Sequence, residues 1–76
     1  MLKKELAYYV NSIAENYVNE TEEVAVRINS RILLSFLDLK IIDRRTYSNC
    51  YWLIQNNTAS DVAEVKDILT KELNLN

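Results

Sequence analysis

The sequence predicts an all-α domain, a small bundle of four helices, and three observations point to it. Glycine and proline are both absent from the 76 residues, which removes the usual turn formers of sheet-rich folds and the usual breakers of helices. Apolar residues recur at spacings of three and four along four separate stretches, the period of a helix with one buried face. Each break between stretches carries Asn, Thr, Asp or Ser, whose side-chain oxygens cap helix starts. No repeat, linker or low-complexity run divides the chain, so residues 1–76 read as a single helical domain.

The first helix is expected at about 2–18. Leu6, Val10, Ile13 and Tyr17 form its stripe, Leu2 and Tyr9 share that face, and Tyr8 points away. Asn19 and Thr21 offer caps for the next helix. "NETE" has capping-box spacing, with Asn19 as cap and Glu22 three residues on. Glu20, Glu22 and Glu23 suit the positive end of a helix.

The second helix, at about 22–39, carries Val24, Ile28, Ile32, Phe36 and Leu39 as its main stripe. Val26, Leu33 and Leu37 spread the apolar surface further, leaving a narrow polar strip of Arg27, Arg31 and Asp38. A helix apolar over most of its surface is expected to be central, wrapped by neighbours. Residues 24–34 also alternate, and Asn29-Ser30 could turn a hairpin. An isolated hairpin is marginally stable, so the helix is favoured.

"LKIID" connects to a third helix at about 44–56, making helices 2 and 3 a helix hairpin or a helix-turn-helix. Lys40 stands where glycine usually ends a helix, and Asp43 is a good N-cap. Tyr47, Cys50, Tyr51 and Ile54 mark the buried face. Thr58 or Ser60 caps a fourth helix at about 59–73, with Val62, Val65, Ile68, Leu69 and Leu73 as its stripe. The "NLN" that follows is expected to fray.

Composition excludes more function than it suggests. There is no histidine, so the commonest general base is missing. Without glycine no phosphate-binding loop can form. The one cysteine, Cys50, sits on an apolar helix face, where a thiol behaves as a small hydrophobe. It can form no internal disulfide, and no zinc site is expected. The reading is therefore of a protein that is not an enzyme and needs no metal and no cofactor. The start of the chain lacks the apolar run of a secretion signal, and no stretch is long enough to span a bilayer. A cytoplasmic protein without membrane contact is expected. A chain of this size buries only about 60% of the surface that its unfolded form exposes. With nearly half of its residues hydrophobic, a homodimer is expected to complete the core.

Net charge is −2, which does not favour nucleic acid overall. The basic side chains concentrate between residues 27 and 45, where Arg27, Arg31, Lys40, Arg44 and Arg45 face only Asp38 and Asp43. The third helix has two features that stability alone does not ask for. Arg44 and Arg45 lie in its first turn, where the helix dipole disfavours cations. The only tryptophan, Trp52, falls opposite the buried face, with Arg45, Asn49 and Asn56 on its side and Ser48 beside them. A large aromatic among arginine and amides has the composition of an interaction hot spot. Arg44, Arg45, Ser48, Asn49, Trp52 and Asn56 are thus the candidate partner-binding residues. The competing expectation is a Trp52 covered by the first or fourth helix or by a dimer mate.

Two functions follow. The favoured one is a small helical interaction protein that binds another protein as a regulator or inhibitor, of the kind frequent in bacteria and their mobile elements. The alternative is a helix-turn-helix DNA-binding transcriptional regulator with helix 3 as recognition helix. There the arginines near the helix N-terminus and Asn49 would read bases.

Overall fold

A computed structural model describes all residues 1–76. Its helices are α1 (Lys3–Asn19), α2 (Glu22–Asp38), α3 (Arg44–Asn56) and α4 (Ala59–Glu72). No strand forms, so residues 24–34 are helical and their alternation is not used.

Each start has its own chemical reason. Leu2 has no side-chain acceptor, but its N–H donates to Glu5 Oε1 at 3.2 Å, which is half of a capping box. At α2 the cap is Thr21 rather than Asn19, which ends α1. Thr21 Oγ1 accepts from the Val24 N–H at 3.3 Å. Thr58 rather than Ser60 caps α4, accepting from the Asp61 N–H at 3.1 Å.

The ends of α2 and α4 share one solution. After α2, the Lys40 N–H bonds the Leu37 carbonyl at 3.0 Å and the Ile41 N–H bonds the Phe36 carbonyl at 2.8 Å. Lys40 itself is left-handed, with φ 59°. This is a Schellman turn with lysine in the position that glycine prefers, and Ile41 folds back onto the core. After α4, Asn74 is left-handed at φ 54°, the Leu75 N–H bonds the Thr70 carbonyl at 2.9 Å, and Leu75 packs on the core. The "NLN" segment is therefore turned inward by a Schellman motif rather than frayed, because the leucine has apolar surface to cover.

A left-handed lysine is strained by its Cβ, by about 1–2 kcal/mol. Glycine removes the strain but adds freedom to the unfolded chain. Lys40→Gly is accordingly expected to raise stability by about 0.5–1 kcal/mol. The urea midpoint should move up with an unchanged slope; an unmoved or lowered midpoint would refute the strain.

The four helices close a ring. α1 packs on α2 and α4, α3 packs on α2 and α4, and the diagonal pairs do not approach. The short connections make sequence neighbours antiparallel. α2 is thus not a central helix wrapped on all sides but one of four equivalent members. The core inside the ring holds Leu6, Val10 and Ile13 of α1, Leu33 and Phe36 of α2, Cys50 and Ile54 of α3, and Val62, Val65 and Leu69 of α4. Ile42 of the α2–α3 connection closes one end.

The helix stripes of α1, α3 and α4 meet in this core largely as their periodicity predicts, although Leu2 and Tyr9 stay largely outside it. α2 is rotated from its expected setting. It buries Ala25, Asn29, Leu33 and Phe36, while Ile28 and Ile32 are half-buried and Leu39 is exposed. Asn29 gives the reason. It is 0% exposed, its Nδ2 donates to the Ile13 carbonyl at 3.1 Å, and its Oδ1 accepts from Asn16 Nδ2 at 3.0 Å. A polar residue is buried because both ends of its amide are satisfied. A second polar link, Gln55 Nε2 to Ser30 Oγ at 3.0 Å, ties α3 to α2.

Candidate functional site

Asp43 sets where α3 begins. Its Oδ1 accepts the Thr46 N–H at 2.9 Å. That bond, then the Thr46 hydroxyl, holds the carboxyl below its ordinary value, and the Arg45 charge acts in the same direction. With the start fixed, helical period places Thr46, Cys50 and Ile54 inward. Arg44, Arg45, Ser48, Asn49, Trp52 and Asn56 are all exposed.

Trp52 is 67% exposed. No helix of its own chain covers it, so that part of the competing expectation is overturned. Its indole stands edge-on to Tyr51, with ring centroids 5.4 Å apart and planes at 82°. Tyr51 in turn lies 5.9 Å from Tyr47. Edge-to-face pairing is a favourable aromatic geometry, and it gives the exposed indole a preferred direction at its root.

The six residues do not form one pocket. Asn49 and Trp52 share a groove with Leu53 of α3 and Glu64, Asp67 and Ile68 of α4. Arg44 lines a different hollow at the α2–α3 connection, together with Asp38, Asp43 and Glu72. The acids beside Trp52 come from α4 and were not visible from the periodicity of α3 alone. Asp67 also pairs with Lys71 at 3.1 Å, one turn on and solvent-exposed, a contact worth a few tenths of a kcal/mol.

Cys50 faces the core and is fully buried. Burial, and after it the charges of Glu64 and Glu72, push its thiol up to about 11. It is a neutral core thiol at pH 7, not a poised nucleophile.

A second surface feature lies on the α1–α2 side. Tyr9, Ile28, Arg31, Ile32 and Leu39, with Phe36 as floor, line a groove of about 360 Å³. Tyr8, 68% exposed, extends the aromatic surface at its edge, its ring 5.3 Å from that of Tyr9. The apolar stripe that α2 turns away from the core runs along this groove. No helix is long and apolar enough to cross a membrane.

Comparisons of the chain with protein-family models, with curated proteins and with solved structures gave no significant match.

Proposed function

We propose that this is a non-enzymatic helical interaction protein that acts in the cytoplasm by binding another protein, as a regulator or inhibitor, with the outer face of α3 as the contact. The observation that carries the reading is the exposure of Trp52. A tryptophan left two-thirds in water contributes little to its own fold, while at an interface it is among the residues that contribute most. Arg45, Asn49 and Asn56 surround it with polar groups that can pair at the rim of a contact.

The helix-turn-helix reading draws support from the exposed Arg44, Arg45, Ser48 and Asn49 in the first half of α3. Against it stand Glu64 and Asp67 beside Trp52, which would repel phosphates, and the net charge of −2. The phosphate contribution dominates affinity for duplex, so the protein reading is preferred.

Trp52 is unique and reports on itself. Its emission is expected to be solvent-like in dilute protein and unchanged by duplex DNA at low salt. Trp52→Ala should keep the helical circular dichroism and lose capture of partner protein. Emission that responds to DNA, and stops responding as salt rises, would transfer the assignment to the DNA reading. Partner capture that survives Trp52→Ala would remove α3 as the contact face.

A further inference from the structure

We infer that the α1–α2 groove of one copy receives the Trp52 face of a second copy, so that the protein self-associates head to tail. This rests on the reading of Trp52 as an interface anchor and names its occupant. The first support is the groove itself. Ile28, Ile32 and Leu39 belong to the main apolar stripe of α2, yet Ile28 and Ile32 are only half-buried, Leu39 is exposed, and all three line an open groove, with Ile32 also packed against the core. Leu39 is 60% exposed. At about 360 Å³ the open groove falls within the range of small-molecule sites, which leaves ample room for an indole.

Charge decides which surface of a second copy fits. Arg31 carries the one charged side chain lining the α1–α2 groove. The charged residues lining the groove beside Trp52 are Glu64 and Asp67. Pairing two α1–α2 faces would oppose Arg31 to Arg31, and pairing two Trp52 faces would oppose Glu64 to Glu64, Asp67 being already paired with Lys71 at 3.1 Å and Arg45 lying further along the face. Pairing one with the other brings Arg31 to Glu64 and Asp67 while Trp52 meets Tyr9, Ile28 and Ile32. Like charges across an interface are costly and opposite charges set register, so the unlike pairing is preferred.

The ring order of the helices gives the geometry. The α1–α2 and α3–α4 sides lie opposite each other, so one copy can offer its groove and its tryptophan at the same time. Such a contact is heterologous and is not closed by a two-fold axis. It differs in this respect from the symmetric dimer expected of a small, apolar-rich chain. It serves the same need, since domains of this size gain stability from association.

The test uses two variants whose changed side chains are all exposed, so that each should fold. Trp52→Ala lacks the anchor and keeps the groove. The double variant Arg31→Glu, Leu39→Glu spoils the groove and keeps the anchor. Sedimentation of the unaltered protein should show a mass that rises above the monomer with concentration. Each variant alone should associate at least about thirtyfold more weakly, the loss typical of a hot-spot side chain. An equimolar mixture should give a dimer and nothing larger, because only one productive contact remains. Trp52→Ala contains no tryptophan, so adding it to the groove variant should blue-shift the emission of Trp52. Adding Glu64→Lys and Asp67→Lys to the groove variant, which supplies the Trp52 face, should weaken its contact with Trp52→Ala, whose Arg31 is intact, and Arg31→Glu in that Trp52→Ala partner should restore it. An unaltered protein that stays monomeric at all concentrations would overturn the inference while leaving Trp52-dependent capture of another protein to its own result. Association in which the mixture fails to complement, or which survives either variant, would also overturn it. If Trp52→Ala alters neither self-association nor partner capture, the reading of Trp52 fails as well.

Discussion

Phe36→Ala is expected to destabilise the protein by about 3–5 kcal/mol, the cost of removing a large aromatic from a closed core. For a chain of this length the whole stability is roughly 4–11 kcal/mol, so the variant should lose a large share of it, and at the low end of that range it would be partly unfolded at room temperature. The expectation is high at this residue for two reasons. Phe36 is 2% exposed and is the largest fully enclosed side chain of the ring interior. It also stands where α2 ends: its carbonyl accepts from both Ile41 and Ile42, and Ile41 packs back on the core there. Removing the ring leaves the hydrogen bonds intact but takes away the apolar surface against which the turn closes. Phe36→Leu, which refills most of the volume, should cost much less. Urea denaturation of the two variants checks this. A loss under about 1 kcal/mol for Phe36→Ala would mean that the core can collapse around the site.

The contrast between α2 and the other helices shows what a periodic pattern can and cannot carry. Where a stripe is apolar without interruption, as in Leu6–Val10–Ile13 or Val62–Val65–Leu69, period alone finds the buried face. Helix limits were legible to within a residue or two from the clusters of capping residues, but the sequence singles out only Asp43 as a cap; the choice of Thr21 over Asn19 and of Thr58 over Ser60 comes from the fold. The setting of α2 was not legible. Its buried line contains Ala25 and Asn29, which a hydrophobicity pattern places outside. Asn29 is inside because Asn16 and the Ile13 carbonyl lie opposite, and these are thirteen and sixteen residues away in sequence. That rotation carries Ile28, Ile32 and Leu39 to the flank and creates the α1–α2 groove.

The exposure of the candidate residues on α3 was legible from the wheel, since opposing faces of a helix follow from its period. The setting around them was not. A groove between helices depends on how two elements are rotated against each other, so Glu64, Asp67 and Ile68 join Trp52 only in the folded bundle. Those acids alter the functional reading more than any residue on α3 itself. They make the surroundings of the tryptophan unfavourable to phosphate and complementary to Arg31.

Asn29→Asp is the second change expected to have a large effect, and its sign depends on pH. The substitution is nearly isosteric, so packing is preserved. It puts an oxygen where Nδ2 now donates to the Ile13 carbonyl at 3.1 Å. Above the ordinary carboxyl pKa of about 3.9, two acceptors would face each other and a charge would be buried without a cation. The cost of such an uncompensated charge is about 3–5 kcal/mol. When protonated, the introduced carboxyl can donate to Ile13 and accept from Asn16, restoring both bonds. Its folded pKa is thus raised above its unfolded value, and the folded state binds more protons between the two. The variant should be closest to the unaltered protein below pH 3.9 and lose about 1.4 kcal/mol per unit as pH rises through the window above it. Asp43 acts in the opposite sense in both proteins. Its folded pKa is lowered, so its contribution is present above 3.8 and is lost as pH falls through the lowered value. Taking the difference between variant and unaltered protein cancels that contribution and isolates position 29. Asn29→Ala, which leaves no titrating group, should cost about 1–3 kcal/mol at every pH. Denaturation at a series of pH values separates the cases. A constant difference for Asn29→Asp would mean that water reaches the amide, and that the α1–α2 contact is held by apolar packing alone rather than by the Asn29 bridge.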